Sequence, residues 1–412
     1  KKMSRVLVDS GIKWIGLLPN TWSITTVNKV FYRRKEVNDV ENPTVLSLAR
    51  DSVKIRDIST NEGQLAESYD NYHKVYKDDL MINPMDLISG ANCSLSEVEG
   101  VISPAYINLA KKEKIFPKYY DYFFKYQYWI KAMFIHGKGV SFDNRWTLNW
   151  ETMASYKLPL PSYEEQKKIA IYLNDHCSKI DEIIVDNNKE IELLKEYKLQ
   201  LIYKNTSNGV KTKLKYVFKK VGSGTTPDSN DSSLYGDDIF WIQSGDINGG
   251  YITDTNKKLK EDTVEKVSAL KIYKAPFIVI AMYGGSIGNS SISNIDACTN
   301  QACCVLSKTD ANLNYIFYSI KKLISNWLST SEGGTQPNVN RGKILNSYVN
   351  LPAKEEQDII VRKLDQECSK LNEVIEYRRK IIEKLEEYKK SLIFECVTGK
   401  KEVKYGNSRK KF

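Results

Sequence analysis

The segment LPSYEEQKKIAIYLNDHCSKIDEII at residues 160–184 returns as LPAKEEQDIIVRKLDQECSKLNEVI at residues 351–375, which is 191 positions later. Extended without a gap to 160–202 and 351–393, the two copies share 21 identical positions out of 43. Two unrelated stretches of one chain do not reach this identity by chance, so the chain contains an internal duplication. The period is close to half of the 412 residues. It excludes a short-period solenoid and predicts two copies of one unit.

Each copy of the duplicated segment has the pattern of one long helix. Apolar side chains recur at steps of three and four residues, as along a coiled-coil seam. Neither copy contains glycine or proline after its opening proline, so each can form a helix of about 40 residues, roughly 60 Å long. Polar Asn187 and Arg378 interrupt the seams at equivalent positions, where such residues fix register at some cost in stability. The predicted seam residues are Ile169, Leu173, Ile180, Ile184, Asn187, Ile191, Leu194 and Leu201 in the first copy and Ile360, Leu364, Leu371, Ile375, Arg378, Ile382, Leu385 and Leu392 in the second.

Both helices are predicted to begin just after a proline, Pro161 in the first copy and Pro352 in the second. Ser162 with Glu165 matches a capping box, which satisfies amide donors that the first helical turn leaves without partners. Ala353 stands at the serine position in the second copy. We therefore expect the second helix start to be less well capped.

The segments that precede the two helices have a different pattern. Short β-branched and aromatic runs are separated by Gly, Asn, Asp and Pro clusters, which is typical of mixed α/β or β-rich domains. The two blocks look only faintly alike. The predicted fold class is α+β, with two globular blocks and two long helices in a pseudo-twofold internal repeat. The predicted divisions are a first block at 1–157, a first helical segment at 158–210, a second block at 211–350, a second helical segment at 351–400 and a basic tail at 401–412.

Composition narrows the class of protein. A hydrophobic fraction of 41% with 27% charged residues is typical of a globular chain, and a net charge of +10 suits a polyanionic partner without proving one. Seven cysteines without a CxxC pair favour free thiols in a reducing compartment and no metal site. The sequence has neither a signal-peptide pattern nor an apolar run long enough to span a bilayer. We therefore expect a cytoplasmic protein with no membrane partner.

Motifs for catalysis are missing. A DNA methyltransferase would need an NPPY-like tetrad, and the nearest approach, NPMD at 83–86, lacks the second proline and the aromatic residue. The glycines at 284–288 are not followed by the GK[ST] of a phosphate loop. His73, His136 and His176 lie outside recognisable nucleophile motifs. We interpret the chain as non-catalytic.

Loops rich in Gly, Ser, Thr, Asn and Gln beside basic and aromatic residues are the candidates for DNA binding. Asn and Gln can form bidentate bonds with adenine and Arg or Lys with guanine, while glycine-rich turns let a backbone approach a phosphate. Each such segment alone is more often a plain turn than a contact. Their connection to the duplicated helices favours the DNA interpretation. The candidate residues are Arg50, Lys138 and Arg145 in the first block and Thr225, Thr226, Gln243, Ser244, Tyr283, Ser286, Thr335, Gln336, Asn338, Asn340 and Arg341 in the second.

Several motifs stand in a fixed order along the chain. They are GIKWIG and LPNTW within 11–22, the two LPxxEEQ helix starts, GSGTTP at 222–227, WIQSGDI at 241–247, the 285–301 region and GGTQPNVN at 333–340. Together with the duplication, they resemble the specificity subunit of Type I restriction-modification systems over nearly the whole chain.

The resemblance implies that each block is a target recognition domain that reads one half of a bipartite site in double-stranded DNA. It implies that the two helices pair as an antiparallel coiled coil that sets the gap between the half-sites. Two modification subunits, which bind S-adenosylmethionine and methylate adenine, are expected to dock on this chain. Restriction subunits are expected to join them, so that ATP and Mg belong, like S-adenosylmethionine, to the partners.

Two other classes of protein share some of these features. A coiled-coil adaptor that binds only protein would have similar helices, but it would show no sequence preference in gel shifts with its partner subunits present. A fragment of a fused restriction-methylation enzyme would require methyltransferase motifs, which the sequence lacks. The DNA specificity subunit ranks first, then the adaptor, then the enzyme.

Overall fold

The computed structural model describes residues 5–49, 52–59, 66–85, 87, 93–112, 114–137, 147–283, 286–329 and 338–404. The chain divides into two compact units. Unit 1 comprises residues 1–186 and 380–412, and unit 2 comprises residues 187–379. Each unit therefore contains one globular block and a part of each long helix.

Unit 1 contains the first block. Its strands are β1 (Leu7–Asp9), β2 (Leu17–Pro19), β3 (Ser23–Thr26), β4 (Phe31–Arg33), β5 (Leu46–Leu48), β6 (Val53–Ile55), β7 (His73–Val75), β8 (Leu80–Ile82), β9 (Cys93–Leu95), β10 (Gly100–Ile102), β11 (Ile107–Lys111) and β12 (Lys157–Leu160). Its helices are α1 (Val27–Val30), α2 (Pro117–Trp129), α3 (Trp150–Ser155) and the first part of α4 (Tyr163–Asn205). A short 3₁₀ turn covers Phe134–His136.

The main sheet of unit 1 has the strand order β4-β11-β8-β9, with every pair antiparallel. The strand β8 is buried along its length, as expected for a central strand with apolar contacts on both faces. Helix α2 begins with Pro117 in its first turn, where proline costs no hydrogen bond. Its aromatic side chains, including fully buried Tyr119 and Phe123, join a core that reaches Leu173 of α4 and Leu392 of the second long helix. The block is thus packed directly onto the helices.

Unit 2 contains the second block. Its strands are β13 (Val210–Lys213), β14 (Lys220–Gly222), β15 (Tyr235–Gly236), β16 (Ile239–Ile242), β17 (Tyr251–Ile252), β18 (Lys258–Leu259), β19 (Phe277–Ala281), β20 (Ser290–Ser293), β21 (Ala297–Thr299), β22 (Cys303–Ser307) and β23 (Tyr348–Leu351). Its helices are α5 (Leu214–Val217), α6 (Glu261–Lys266), α7 (Leu313–Lys321), α8 (Ile324–Ser329), α9 (Arg341–Asn346) and the first part of α10 (Lys354–Val397). Two 3₁₀ turns cover Ser232–Leu234 and Ser244–Asp246.

The main sheet of unit 2 has the order β14-β22-β19-β20-β17, in which β17 and β20 are parallel and the other pairs antiparallel. A second sheet, β15-β18-β16-β21, lies in the same unit and includes the parallel pair β16 and β21. The run FIVIA in β19 is wholly buried. Asn312 caps the start of helix α7, because its side chain accepts a hydrogen bond from the Tyr315 backbone N–H at 3.1 Å.

The two blocks are more alike than their sequences indicate. In unit 1 the ribbon β3-β12 leads into α4, and in unit 2 the ribbon β13-β23 leads into α10. The strand order β4-β11-β8-β9 corresponds to β14-β22-β19-β20, and α2, α3 correspond to α7, α9. Backbone pairing of this kind needs buried, β-compatible side chains but no particular identities. The shared sheet could therefore persist after the sequences had diverged.

The two long helices run antiparallel. In unit 2, Asn187 of α4 contacts Arg378 of α10, while Lys198, further along α4, contacts the earlier residue Asn372. In unit 1, apolar residues of the first part of α4 share a core with residues 392–397 of α10. The described helices include none that is both long and apolar enough to cross a membrane.

Candidate nucleic-acid interface

The glutamine of each EEQ motif attaches a block to its long helix. Gln166 is buried; its Oε1 accepts a hydrogen bond from the Phe116 backbone N–H at 2.8 Å, and its Nε2 donates to the Pro161 carbonyl at 2.9 Å. Gln357 does the same with the Asn312 N–H at 2.9 Å and the Pro352 carbonyl at 2.9 Å. Phe116 and Asn312 directly precede the block helices α2 and α7. Each glutamine therefore connects the start of a long helix with a helix of the block and with the proline that follows strand β12 or β23.

A second contact is also repeated in the two units. The Tyr122 hydroxyl of α2 donates to Asn174 Oδ1 at 2.7 Å, and the Tyr318 hydroxyl of α7 donates to Asp365 Oδ1 at 2.6 Å. Asn174 and Asp365 are equivalent positions of the duplicated segment. Burial raises the pKa of both tyrosines, so each hydroxyl keeps the proton that it donates. The long helices therefore hold the two blocks by equivalent side chains.

Several candidate segments of the second block are joined through backbone hydrogen bonds. The Val339 N–H donates to the Met282 carbonyl at 2.9 Å, and the Met282 N–H donates to the Ala302 carbonyl at 2.8 Å. Tyr283 and Asn338 form a β-bridge beside these bonds. The loops after β19 and before α9 therefore lie next to the loop before β22.

The same loop before β22 reaches two further segments. The Asn300 N–H donates to the Ile242 carbonyl at 3.0 Å, and Thr226 Oγ1 donates to Gln301 Oε1 at 2.6 Å. Gly224 explains part of the GSGTTP motif, because a Cβ atom there would lie 1.6 Å from the Thr299 carbonyl oxygen. We call the resulting strip, formed by residues 224–226, 242–244, 282–283, 300–302 and 338–341, the recognition edge.

The candidate side chains on the recognition edge differ in what they offer a ligand. Tyr283 is 48% exposed and Thr226 is exposed, whereas Thr225, Gln243 and Ser244 are half-buried. The Gln243 backbone N–H donates to Asp246 Oδ2 at 2.8 Å. This bond fixes the turn that carries Gln243 and Ser244. Half-buried Ser286 lies in the loop just after Tyr283, where its carbonyl accepts from the Asn289 N–H at 2.9 Å.

Asn340 has a structural partner already. Its Oδ1 accepts a hydrogen bond from the Lys343 N–H at 2.9 Å and caps α9. The equivalent residue of the first block, Asn149, caps α3 through the Thr152 N–H at 2.8 Å. Arg341 follows as an exposed residue, and within the described part of the chain it has no ion pair. Arg341 is thus better placed than Asn340 to meet an anion.

The first block has the counterpart of one of these links. The Leu148 N–H donates to the Pro84 carbonyl at 2.8 Å, which matches the bond from Val339 to Met282 in the second block. The Met85 N–H donates to Asn83 Oδ1 at 3.0 Å, so Asn83–Met85 form a turn, while Asp86 of the NPMD segment lies outside the described residues. The candidates that lie outside the described residues are Arg50, Lys138 and Arg145 of the first block and Thr335 and Gln336 of the second.

Sequence reasoning omitted Asn300 and Gln301 from the candidates. Their signal is a polar run, Thr299-Asn300-Gln301, which starts at the last residue of the buried strand β21 and precedes the buried strand β22. A polar run between two buried strands marks a connection at the sheet end, and the end of a strand is where side chains can face a ligand. Gln301 is exposed and bonds Thr226, so it belongs with the recognition edge.

The predicted seam residues lie as follows. Those that are buried are Ile169, Leu173, Ile180, Asn187, Ile191, Leu364, Ile375 and Leu392. Those that are half-buried are Ile184, Leu194, Leu201, Ile360, Leu371, Arg378, Ile382 and Leu385. The periodicity missed buried Ile202 and Ile393. These residues lie near the helix ends, where the buried face is wider because each helix packs against a block as well as its partner helix.

Asn187 and Arg378 contact each other. Arg378 Nη1 donates to Asn187 Oδ1 at 3.0 Å, and its other terminal nitrogen pairs with Glu190. Arg378 stands 191 positions after Asn187. The two copies of the duplicated segment therefore meet at one and the same repeat position, as expected of an antiparallel pair of like helices.

The helix starts differ in detail from a full capping box. The Glu165 N–H donates to Ser162 Oγ at 3.3 Å, which is one half of the motif. The Glu165 carboxylate instead accepts from Trp22 Nε1 at 2.7 Å and pairs with Arg5. Glu165 therefore holds the amino-terminal LPNTW segment against the first helix.

The cysteines lie in the interior of the two units. All seven are buried and free. Burial raises the pKa of Cys298 to about 11 and that of Cys303 and Cys304 to about 12, so these thiols stay protonated and unreactive at neutral pH. Among the residues that the structure describes, His, Cys, Asp and Glu form no cluster that could hold a metal ion.

Comparisons with known proteins agree with this architecture. The family model for the Type I restriction modification DNA specificity domain matches residues 96–193 and 207–387. The Type I restriction enzyme MjaVIII specificity subunit of Methanocaldococcus jannaschii is 26% identical over 371 residues, covering 80% of this chain and 82% of the relative. The putative type I restriction enzyme MjaX specificity subunit of the same organism is 24% identical over 287 residues, covering 63% of each.

A solved structure shares the fold. A chain from a structure of type I R-M system complex assembly superimposes with a TM-score of 0.72 at 14% identity, covering 92% of this chain and 98% of the other. The shared fold and the family match together define the class of protein, which is a DNA-recognition protein with two blocks and two long helices. The chain belongs to the Type I restriction-modification DNA specificity family. It is a DNA sequence-recognition subunit without catalytic activity of its own, and members of its family assemble with other subunits.

Proposed function

We propose that the two blocks are target recognition domains that each read one half of a bipartite DNA sequence. The blocks are residues 1–157 and 211–350, and the helical segments at 158–210 and 351–400 set the gap between the half-sites. Residues 401–412 form a basic tail beyond the second helix. A chain that reads genomic DNA works where that DNA is, so we place it in the cytoplasm.

One observation carries the proposal: Gln166 and Gln357 hold the two blocks to the long helices by the same pair of hydrogen bonds. A buried side chain whose donor and acceptor groups are both hydrogen-bonded holds the block rigidly at the start of its helix. The length of the helix then determines where the block lies. The blocks keep the same sheet but differ in their outer loops. This combination suits one spacer that holds two domains with different DNA specificities.

Direct readout is assigned to the recognition edge of the second block and to the corresponding loops of the first. Amide and guanidinium groups in these loops can form bidentate bonds with base edges, while hydroxyl groups can bond phosphates. The proposed contacts are Arg50, Lys138, Arg145, Thr225, Thr226, Gln243, Ser244, Tyr283, Ser286, Thr335, Gln336, Asn338, Asn340 and Arg341. Asn340 is the weakest of them, because its side-chain oxygen caps α9.

Two modification subunits are proposed to dock on the helices, one on each unit. Exposed Tyr197 of unit 2 and Tyr388 of unit 1 occupy the same repeat position, and partly exposed Val374 and Ile183 occupy another. Equivalent exposed side chains in the two units suit two copies of one partner. S-adenosylmethionine, ATP and Mg are proposed to bind the modification and restriction subunits, not this chain.

The spacer function is tested by lengthening both helices. Insertion of four residues after Lys189 and after Lys380, which are equivalent positions, adds about one helical turn, or about 5.4 Å. Since B-DNA rises about 34 Å per turn, the preferred gap should change by about one or two base pairs. Mapping adenine methylation in DNA exposed to the assembled complex gives both half-sites and the gap. A four-residue insertion in the tail at 401–412 is the control, and an unchanged gap in the helix variant would show that the helices are not the spacer.

The readout residues are tested by substitution in the loop at 333–340. Gln336→Ala or Asn338→Ala should weaken binding to the methylated motif by about tenfold and leave random DNA unaffected, because a lost base contact is worth about 1–3 kcal/mol. Lys179→Gln, on the exposed face of α4, should leave sequence preference intact. Equal losses on specific and random duplexes would remove Gln336 and Asn338 from the readout.

A further inference from the structure

A groove in unit 2 lies between the long helices and the helices α7 and α8. Lys195 and Arg379 line it, and each is paired with a glutamate of its own helix: Lys195 with Glu192 at 2.7 Å and Arg379 with Glu376. Lys198, Lys321 and Lys322 line it too. Of the lining residues that the structure describes, Glu376 is the one carboxylate. We call this surface the basic groove.

Three lysines of the basic groove lack carboxylate partners in the described part of the chain. Lys198 Nζ donates to Asn372 Oδ1 at 2.6 Å, and Lys322 Nζ donates to the Thr206 carbonyl at 2.7 Å. Lys321 Nζ lies 4.5 Å from the ring centre of Phe317 and 5.7 Å from that of Tyr318. A cation over aromatic rings is stabilised, but its charge is not neutralised.

The surroundings of Lys321 disfavour its charge. Burial and the charge of Lys198 lower the pKa of Lys321 to about 8. Two like charges held at a partly desolvated site repel each other, and an anion between them would relieve that repulsion. The groove is therefore suited to a negatively charged ligand.

In unit 1, the lysines equivalent to Lys321 and Lys198 are paired with carboxylates. The counterpart of Lys321 is Lys125, which pairs with buried Asp121 at 3.1 Å. Phe317 stands at the position of Asp121 in unit 2. This correspondence rests on the matching bonds that α2 and α7 make with the long helices.

The long helices show the same difference. In unit 1, Lys389 pairs with Asp181 at 2.6 Å. The equivalent residues of unit 2 are Lys198 and Asn372, so the ion pair is replaced by a hydrogen bond to a neutral amide. Two carboxylates that neutralise the lysines of unit 1 are thus absent from unit 2.

The basic groove borders the recognition edge. Ile324 lines the groove, and a Cβ atom on Gly288 would lie 2.8 Å from Ile324 Cγ2. Gly288 belongs to the loop that contains Ser286 and returns to β19, where its N–H donates to the Ala281 carbonyl at 3.0 Å. Ile324 therefore connects the basic groove with the loop after β19, which begins at Met282 and Tyr283 of the recognition edge.

We propose that the basic groove of unit 2 binds phosphodiester groups of the DNA backbone beside the half-site that the second block reads. Lysines bind phosphate as point charges and need no base identity. Several lysines spread over α4 and α7 suit a polyanion that carries repeated charges. The inference rests on the proposed reading of DNA by the second block. Among the described residues of unit 1, the equivalent lysines Lys125 and Lys389 are paired with carboxylates, so the proposed backbone contact belongs to unit 2.

The test uses the full chain assembled with its modification subunits, with duplexes that carry either the mapped methylation motif or random sequence. The slope of the logarithm of the association constant against log salt is negative, and in the double variant Lys198→Gln/Lys321→Gln it should become less steep by about 2, since each phosphate contact contributes about −0.9. The slope should change equally on both duplexes, and the sequence motif that the complex methylates should stay the same. Lys179→Gln in unit 1, where Lys179 bonds Asp175 at 2.8 Å, is the matched control and should retain the wild-type slope.

A second variant keeps every lysine. Asn372→Asp gives Lys198 the carboxylate that Lys389 has in unit 1, and it should make the slope less steep by about 1. Wild-type slopes in both variants would overturn the phosphate site while leaving sequence recognition intact. Failure of the double variant to assemble with modification subunits in the absence of DNA would also overturn it, because the groove would then bind protein. A wild-type complex without any sequence preference would instead refute the proposed function.

Discussion

The long helices contact the two blocks through equivalent residues, whereas the surfaces around those contacts carry different ones. Gln166 and Gln357 make the same bonds in the two units. Around them, an ion pair of unit 1 between Lys389 and Asp181 becomes a lysine–amide bond in unit 2. The residues that position each block are the same in the two copies, while the charged residues on the surface next to the block differ.

The anchor should give the largest effect. Gln166→Ala and Gln357→Ala each leave a backbone N–H and a carbonyl without a partner, and the unfolding free energy of the unit should fall by about 2–4 kcal/mol. Hydrogen exchange should show lost protection in β8 and β11 for the first variant and in β19 and β22 for the second. Gln200→Ala, on an exposed position of α4, is the control with little effect. A large loss in only one unit would break the equivalence of the two anchors.

The asparagine caps should give an intermediate effect. Asn149→Ala and Asn340→Ala remove the same hydrogen bond from α3 and α9, and each should cost about 1 kcal/mol in unfolding free energy. Equilibrium urea unfolding measures this loss. Asn149→Ser and Asn340→Ser, which keep a capping oxygen, should recover most of it. If Asn340→Ala alone also lowers the affinity for the methylated motif while Asn340→Ser does not restore it, Asn340 reads DNA as well as capping α9.

The exposed ion pair should give the smallest effect. Asp181→Asn converts the Lys389 contact of unit 1 into the kind that Lys198 makes in unit 2, and it should cost at most about 1 kcal/mol at low salt. The cost should vanish at about 1 M salt, because an exposed pair is screened there. Thermal unfolding at the two salt concentrations measures it. A salt-independent loss would mean that Asp181 contributes packing or hydrogen bonding instead of charge.

Most of the helical framework could be predicted from the sequence. The duplicated segment, its seam and the prolines at its start are local patterns, and a helix is held by bonds four residues apart. The seam missed Ile202 and Ile393 because their burial comes partly from the blocks. Periodicity along one helix carries no information about a neighbour that covers a second face.

The candidate site could be predicted only as separate loops. Gln243, Tyr283 and Asn338 stand far apart in sequence, and the backbone bonds among Met282, Ala302 and Val339 bring their segments together. Such bonds join N–H and C=O groups that every residue other than proline possesses. Residue identities therefore gave little sign of which loops would meet.

By itself, the sequence determined the duplication, the two long helices and the class of protein, because these depend on side-chain patterns that can be read along one sequence without knowledge of tertiary contacts. The tertiary structure decided the rest. It showed that the two blocks share one sheet, that the EEQ glutamines are buried anchors, and that Lys321 lacks the carboxylate that its counterpart Lys125 has. Each of these depends on which distant residues come into contact, and a contact between distant residues is a property of the folded chain.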